Sequence, residues 1–456
     1  MDELLRQTAD LAADFLRQLP ERPVGPPVDS AGLQAALGGP LPDGPVDPGQ
    51  VITDLAAAAD PGIVASAGPR YFGFVIGGST PAGLAADWLT ATWDANAGMY
   101  VAGPSAAVIE NVAAGWVLDL LGLPPTASVG FVTGATMASF TCLAAARHAV
   151  LAKSGWDAER DGLFGAPAPR VVIGAERHVT IDVALRYLGL GSDRVLVAES
   201  DQQGAMLPEA LRAILDAGEG PAIVCAQAGN VNTGAIDPLA EICEIAHGHG
   251  AWVHVDGAFG LWAAATPALR PLLDGVASAD SWATDGHKWL NVPYDSGLAI
   301  VADAQAHVAA MCLAASYLIG GLDGQLDAFN LTPESSRRAR GIPIYATLRS
   351  LGRSGVADLV ERCCALANRF AVRLGSADGV EILNDVVLNQ VLVRFADSDE
   401  VTREVIARVQ ADGTCWAGGT TWQGRGAMRI SVSNWSTTEA DIDRSADAIL
   451  RAYDRR

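Results

Sequence analysis

A chain of 456 residues that is half hydrophobic and only 18% charged carries enough apolar mass for a large core and more than one domain, which excludes a disordered or fibrous protein. Its formal net charge of −21 is spread along the chain. That is the wrong balance for gripping a phosphate backbone, so nucleic acid is excluded as the expected partner.

Seven cysteines, two of them adjacent (Cys363 and Cys364) and none spaced as a zinc or redox pair, point to a reducing compartment. The opening Met1-Asp-Glu-Leu-Leu-Arg-Gln lacks a basic region ahead of an apolar run, so it does not read as a signal peptide. No stretch reads as a bilayer span. A cytoplasmic location is expected, where the sequons at Asn330 and Asn434 carry no meaning.

In chain order, Leu4, Leu5, Leu11, Ala12, Phe15, Leu16 and Leu19 recur at helical spacing before Pro20, which predicts an amphipathic helix. The Pro- and Gly-rich stretch to about Gly62 reads as an extended connection, the kind of arm that crosses a dimer interface. Next comes Gly68-Pro-Arg-Tyr-Phe-Gly-Phe-Val-Ile-Gly-Gly-Ser-Thr-Pro81, an aromatic glycine-rich loop, and then a helix from Ala82 to about Ala95.

From Gly130 to Asp303, short β-branched runs alternate with helical stretches. The runs are Val129–Thr133, Arg170–Ala175, Arg194–Ala198, Ala222–Ala226, Trp252–Asp256, Ser281–Thr284 and Gly297–Ala302. This pattern predicts an α/β fold with a mainly parallel seven-stranded sheet covered on both faces, whose ligands bind beyond the carboxyl ends of the strands. A helix containing Met311 and Cys312 follows, then a glycine-rich loop, Ile319–Pro333, of a length expected of a lid. The remainder reads helix, strand (Val386–Phe395), helix, strand (Thr414–Gln423), strand (Ala427–Asn434), helix. The expected domains are an N-terminal arm (1–65), a large domain (66–335) and a small α+β C-terminal domain (336–456).

Four features fall at strand ends. Only two lysines exist in the chain, and Lys153 sits in a polar loop. Lys288 instead follows His287 amid Trp282, Trp289 and Pro293, and an amine in such surroundings is a usable nucleophile toward a carbonyl. Phe131-Val-Thr-Gly-Ala-Thr-Met-Ala-Ser139 reads as strand, glycine turn and helix start, where free N–H groups and the Thr136 hydroxyl suit a phosphate. Asp256 ends a very apolar strand and needs a cationic or donor partner, which a protonated pyridine nitrogen would supply. The alternative is a turn cap beside Gly257. Ala258 is small enough for a flat ring to lie against it. His178 follows a strand at the same sheet edge, able to stack on a ring and to serve as acid or base. A phosphate cradle, a carboxylate for a ring nitrogen, a stacking imidazole and an imine-forming lysine jointly describe pyridoxal 5′-phosphate.

The chain resembles the pyridoxal-phosphate-dependent group II amino-acid decarboxylases, the family of aromatic-amino-acid and glutamate decarboxylases. The resemblance is carried by His254-Val-Asp-Gly-Ala, Asp285-Gly-His-Lys-Trp-Leu, Gly234-Ala-Ile-Asp-Pro and Met428-Arg-Ile-Ser-Val-Ser-Asn434. It implies the aspartate aminotransferase-like fold, pyridoxal phosphate fold type I, and a homodimer with its active site at the interface. It further implies that Lys288 carries the cofactor, Asp256 pairs with the pyridinium and His178 stacks on the ring with Ala258 behind it. Ala135, Thr136, Met137 and His287 would surround the phosphate, with Asn232 also in the cofactor site. The implied reaction is decarboxylation of an L-amino acid to an amine.

Two departures qualify that reaction. The mobile loop of the family usually offers a tyrosine to protonate the carbanion; Ile319–Pro333 has only Phe329, with Tyr317 just before it. The alternative outcome is an aldehyde, ammonia and peroxide. Gly77-Gly78 stands where relatives tend to carry a residue that helps hold the substrate carboxylate. Phe74, Trp88 and Trp93 are candidates for an aromatic substrate pocket, and Arg429 matches a position that can meet a substrate carboxylate in glutamate decarboxylases. Transamination, aldol cleavage and β-elimination are other reactions of the same fold. The His-Lys pair favours decarboxylation.

Overall fold

The structure, a computed structural model, describes residues 1–25, 29–312 and 327–454. The chain divides into two compact units, one of residues 77–367 with 384–390, the other of residues 1–76, 368–383 and 391–456.

The larger unit is built on seven strands: β1 (Ser128–Val132), β2 (Arg170–Gly174), β3 (Leu196–Ala198), β4 (Ala222–Gln227), β5 (Trp252–Asp256), β6 (Ser281–Asp285) and β7 (Gly297–Val301). Each matches an expected run to within about two residues at either end. Their order is β1-β7-β6-β5-β4-β2-β3, and every pairing is parallel except those of β7 with β1 and with β6. Six strands therefore share one direction, and the carboxyl ends of β1, β2, β4, β5 and β6 open on one edge. β5, β6 and β7 are buried at every position, including His254 and Asp256 of β5 and Ser281, Thr284 and Asp285 of β6.

Helix Ala135–Ala152 lies across this sheet, with Ala138, Cys142, Ala145 and Ala146 buried against it. Its alanines let the helix come close enough for the Cys142 thiol to donate to the Trp282 carbonyl at 3.4 Å. Among the described residues it is the one helix long and apolar enough to match a membrane span, and it is a core helix.

In the smaller unit, β8 (Val380–Ile382), β9 (Gln390–Phe395), β10 (Gly418–Trp422) and β11 (Arg425–Ser431) form a sheet ordered β10-β11-β9-β8. β8 was not anticipated, being too short for a periodic signal. The N-terminal helix, Asp2–Gln18, forms as expected. The connection after it is not simply extended: it contains helices Ser30–Leu37 and Pro48–Ala59, capped by the Asp29 and Asp47 side chains. Aspartate caps and a proline in the first turn override the Pro/Gly signal that concealed them. None of these three helices has a buried residue.

Candidate active site

The shared strand direction brings the sequence-distant candidates together. Thr133, Ala135, Thr136, Met137, His178, Asp256, Ala258, His287 and Lys288 all line one pocket of about 300 Å³, with Thr180, Gln227, Gly229, Val231, Phe259 and Asp285. In register, Gln227 stands beside Asp256, and Asp256 beside Ala283, so Asp285 lies one pleat further along β6 on the same face.

At the end of β1, Gly134 lets the chain turn into helix Ala135–Ala152 in tight quarters. A β-carbon there would lie 3.1 Å from the His287 ring and 3.3 Å from an Asp285 oxygen. The first helical N–H groups have no acceptor within their own helix. Ala135 N–H donates to Asp285 Oδ1 at 2.5 Å, whereas Thr136 and Met137 N–H find no acceptor among the described residues. Two unsatisfied amides and a hydroxyl at a helix start form a donor set that fits a phosphate.

Asp256 ends β5 only 5% exposed, and its one hydrogen bond within the fold comes from Ala258 N–H at 3.3 Å. Burial pushes its carboxyl above the ordinary range, while His178 and Lys288 pull it back. A buried carboxylate so sparsely satisfied fits a protonated ring nitrogen as partner. His178 caps helix Val179–Tyr187, its Nδ1 accepting from Thr180 N–H and lying 2.8 Å from the Thr180 hydroxyl.

His287 accepts from Ser296 N–H at 3.1 Å and stacks on Tyr294, with ring centres 4.3 Å apart. Burial lowers its pKa, partly opposed by Asp285. Lys288 does not sit in purely apolar surroundings: its Nζ pairs with Asp285 Oδ2 at 2.8 Å. Asp285, 2% exposed, was quoted in the sequence motif without a role. The signal was there, since an acid three residues before the lysine, at a strand end, can fold back onto its amine.

Some expected residues lie elsewhere. The pocket wall takes Gly229 and Val231 from the loop after β4; Asn232 is absent from it, its N–H donating to the Asn230 side chain. Phe329 is not on an open lid. It lies in the short helical turn Ala328–Leu331, 3% exposed, packed on β1 and outside the pocket wall. β1 accepts this turn because Gly130 has no side chain to meet the Leu331 carbonyl. Tyr317 and residues 319–326 lie outside the described residues. Phe74 and Arg429 belong to the smaller unit. Phe74 adopts φ +54°, as its neighbour Val75 adopts φ +60°, and leaves its ring exposed with its centre 5.3 Å from that of Trp416. Arg429 is half-buried on β11 with no ion pair among the described residues, and burial lowers its pKa.

The family model for the pyridoxal-dependent decarboxylase conserved domain matches residues 34–396. The chain belongs to this family. As a pyridoxal-dependent decarboxylase it is a carboxy-lyase whose cofactor is pyridoxal 5′-phosphate. It is 26% identical to an aromatic-L-amino-acid decarboxylase of Bacillus atrophaeus, over 97% of this chain and 93% of that one. It is equally 26% identical to a 4-hydroxyphenylacetaldehyde synthase of Rhodiola rosea, over 96% and 93%. The fold superposes on the crystal structure of Oryza sativa TDC with PLP and tryptamine at a TM-score of 0.93 and 24% identity, covering 100% and 97% of the two chains. The aspartate aminotransferase-like architecture expected of the decarboxylases is therefore the one this chain adopts.

Proposed function

We propose that this decarboxylase releases the carboxylate of an L-amino acid as carbon dioxide and returns the corresponding amine. The observation that carries the reading is the meeting of Lys288, Asp256 and two unsatisfied helix amides in one pocket of about 300 Å³. Pyridoxal 5′-phosphate, when bound, supplies the electron sink for the bond that breaks. Lys288 would be the attachment point for the cofactor, through its side-chain amine. Asp256 would hold the proton on the ring nitrogen, because a buried and sparsely satisfied carboxylate is most stable against a cation. His178 and Ala258 would flank the cofactor ring, while Thr136, Met137, Ala135 and His287 would hold its phosphate.

The aldehyde-forming reading keeps one specific support: no tyrosine is among the described residues of the pocket wall. In that reaction the amino acid, oxygen and water give aldehyde, carbon dioxide, ammonia and hydrogen peroxide. A lyase producing amine consumes no oxygen, so the two readings separate cleanly. Incubation of the loaded protein in air with a panel of L-amino acids, followed by mass spectrometry and a peroxide assay, tests them. Amine without peroxide supports the proposal, aldehyde with peroxide replaces it by the second reading, and a keto acid or retro-aldol product overturns both.

Phe74 and Arg429 remain candidates for substrate contact on the family resemblance alone, the first an exposed aromatic residue and the second a half-buried cation of the smaller unit. The homodimer we propose is supported by the N-terminal helices, which leave Leu5, Leu16, Val51 and Leu55 exposed. A reducing cytoplasm fits the seven cysteines, which form no disulfide among the described residues.

A further inference from the structure

The geometry points to Asp285 as the residue that governs cofactor capture: its carboxylate bridges the two groups that the cofactor must take. This rests on the reading of the Ala135–Ala152 helix start as the phosphate site. One oxygen accepts from Ala135 N–H at 2.5 Å, the first donor of that helix, and the other holds Lys288 Nζ at 2.8 Å. The amide belongs to the proposed phosphate end, and the amine is the proposed attachment point.

The carboxylate is a place-holder with few alternatives. It is 2% exposed, so water cannot replace a lost partner. Its backbone is fixed on both sides, its N–H donating to the Ala258 carbonyl and its own carbonyl accepting from the Trp262 indole. The other charged or titratable groups facing it are His287, with Nε2 3.5 Å from Oδ1, and Asp256, whose charge it opposes. An incoming phosphate meets a like charge at the helix start and competes for the same N–H. Asp285 therefore keeps the site assembled and, by the same contacts, lowers its affinity for phosphate. His287, lying between Asp285 and Tyr294, is the group left to shield the two anions from each other.

The test uses the full chain stripped of cofactor, with Asp285→Asn and Asp285→Glu. Titration calorimetry with inorganic phosphate should show Asp285→Asn binding about tenfold tighter or more, because a negative charge has left the helix start. Asp285→Glu, which keeps the charge, should stay close to the parent. Equal or weaker phosphate binding by Asp285→Asn overturns the inference. If in that case pyridoxal phosphate is still trapped on Lys288 by borohydride, the reading of the site stands and only the role of Asp285 falls. Absence of both phosphate binding and trapping in the parent overturns both.

A measurement on the unaltered protein covers the case of a variant that does not fold. The chain has two lysines, Lys288 and the exposed Lys153, so ¹³C-methylation gives two lysine signals to follow beside that of the N-terminal amine. Phosphate should move the Lys288 signal, as Asp285 shifts, and leave Lys153 in place; an unmoved Lys288 signal overturns the inference.

Discussion

Gly77 packs its backbone directly against the carbonyl oxygen of Lys288. A β-carbon added at Gly77 would overlap that oxygen and stand 2.9 Å from the Asn291 side chain. Asn291, at φ +56°, in turn donates from its amide to the Trp289 carbonyl at 2.9 Å, holding the turn that carries the lysine. Gly77, one of the two glycines where the resemblance implies a carboxylate-holding residue, is thus closed to a side chain here. Gly77→Ala should cost about 1–3 kcal/mol of stability through overpacking and displace the lysine turn. Thermal unfolding and borohydride trapping of the cofactor on Lys288 read the two effects; an unchanged Tm would show that the approach relaxes freely.

The roles assigned to Lys288 and Asp256 separate by readout. Lys288→Ala should abolish trapping and turnover together. Asp256→Asn should still trap the cofactor but lose at least about a hundredfold in kcat, the order expected when a charged group opposite a developing charge is neutralised. Comparable turnover by Asp256→Asn would remove Asp256 from the mechanism.

Phe329→Tyr would be the natural substitution to restore a loop tyrosine, yet the fold predicts that it fails. The ring is buried in the turn Ala328–Leu331, away from the pocket wall. The added hydroxyl should cost about 1–3 kcal/mol without a partner and leave the ratio of amine to aldehyde unchanged. A shift of that ratio toward amine would place Phe329 in the reaction after all.

Acid should destabilise the fold through two buried histidines. Burial pushes His254 down to about 3 and His307 down to about 4. Both are neutral when folded, whereas in the unfolded chain each takes up a proton near about pH 6.5. Between these values the unfolded state holds more protons, so their stabilising contribution is full above about pH 6.5 and is lost as the pH falls toward 4. His307→Gln should make the acid side of a denaturant-derived stability profile shallower by about one proton. A profile parallel to the parent would mean that His307 does not titrate on unfolding.

Glu110 and Arg337 form a buried ion pair in the larger unit, the guanidinium also donating to the Phe131 carbonyl at 3.3 Å. Burial raises the Glu110 pKa, against the pull of Arg337. Replacing Glu110 by Gln leaves a buried cation without its counter-charge and should cost about 3–5 kcal/mol in chemical denaturation. A loss below about 1 kcal/mol would mean that solvent reaches the pair.

The seven strands of the larger sheet were legible in the sequence because each is a short apolar run between helices, a signal every residue of the run repeats. The strand ends were legible for the same reason, and with them Lys288, Asp256, His178 and the helix start at Ala135. The helices at Ser30–Leu37 and Pro48–Ala59 were hidden by prolines and glycines that cap them, and β8 was too short to show a period. Phe329 read as part of a lid because a sequence cannot show that Gly130 opens a seat for the turn that carries it. Nor can a sequence show which of two acids stands nearer an amine. Local patterning determined the strands and the identity of the chemical groups, since both depend on neighbours in the chain. Only the packing of the helix start against the end of β6 decided that the Asp285 carboxylate holding Lys288 also takes the Ala135 N–H, because that contact joins elements 150 residues apart that no spacing in the sequence encodes.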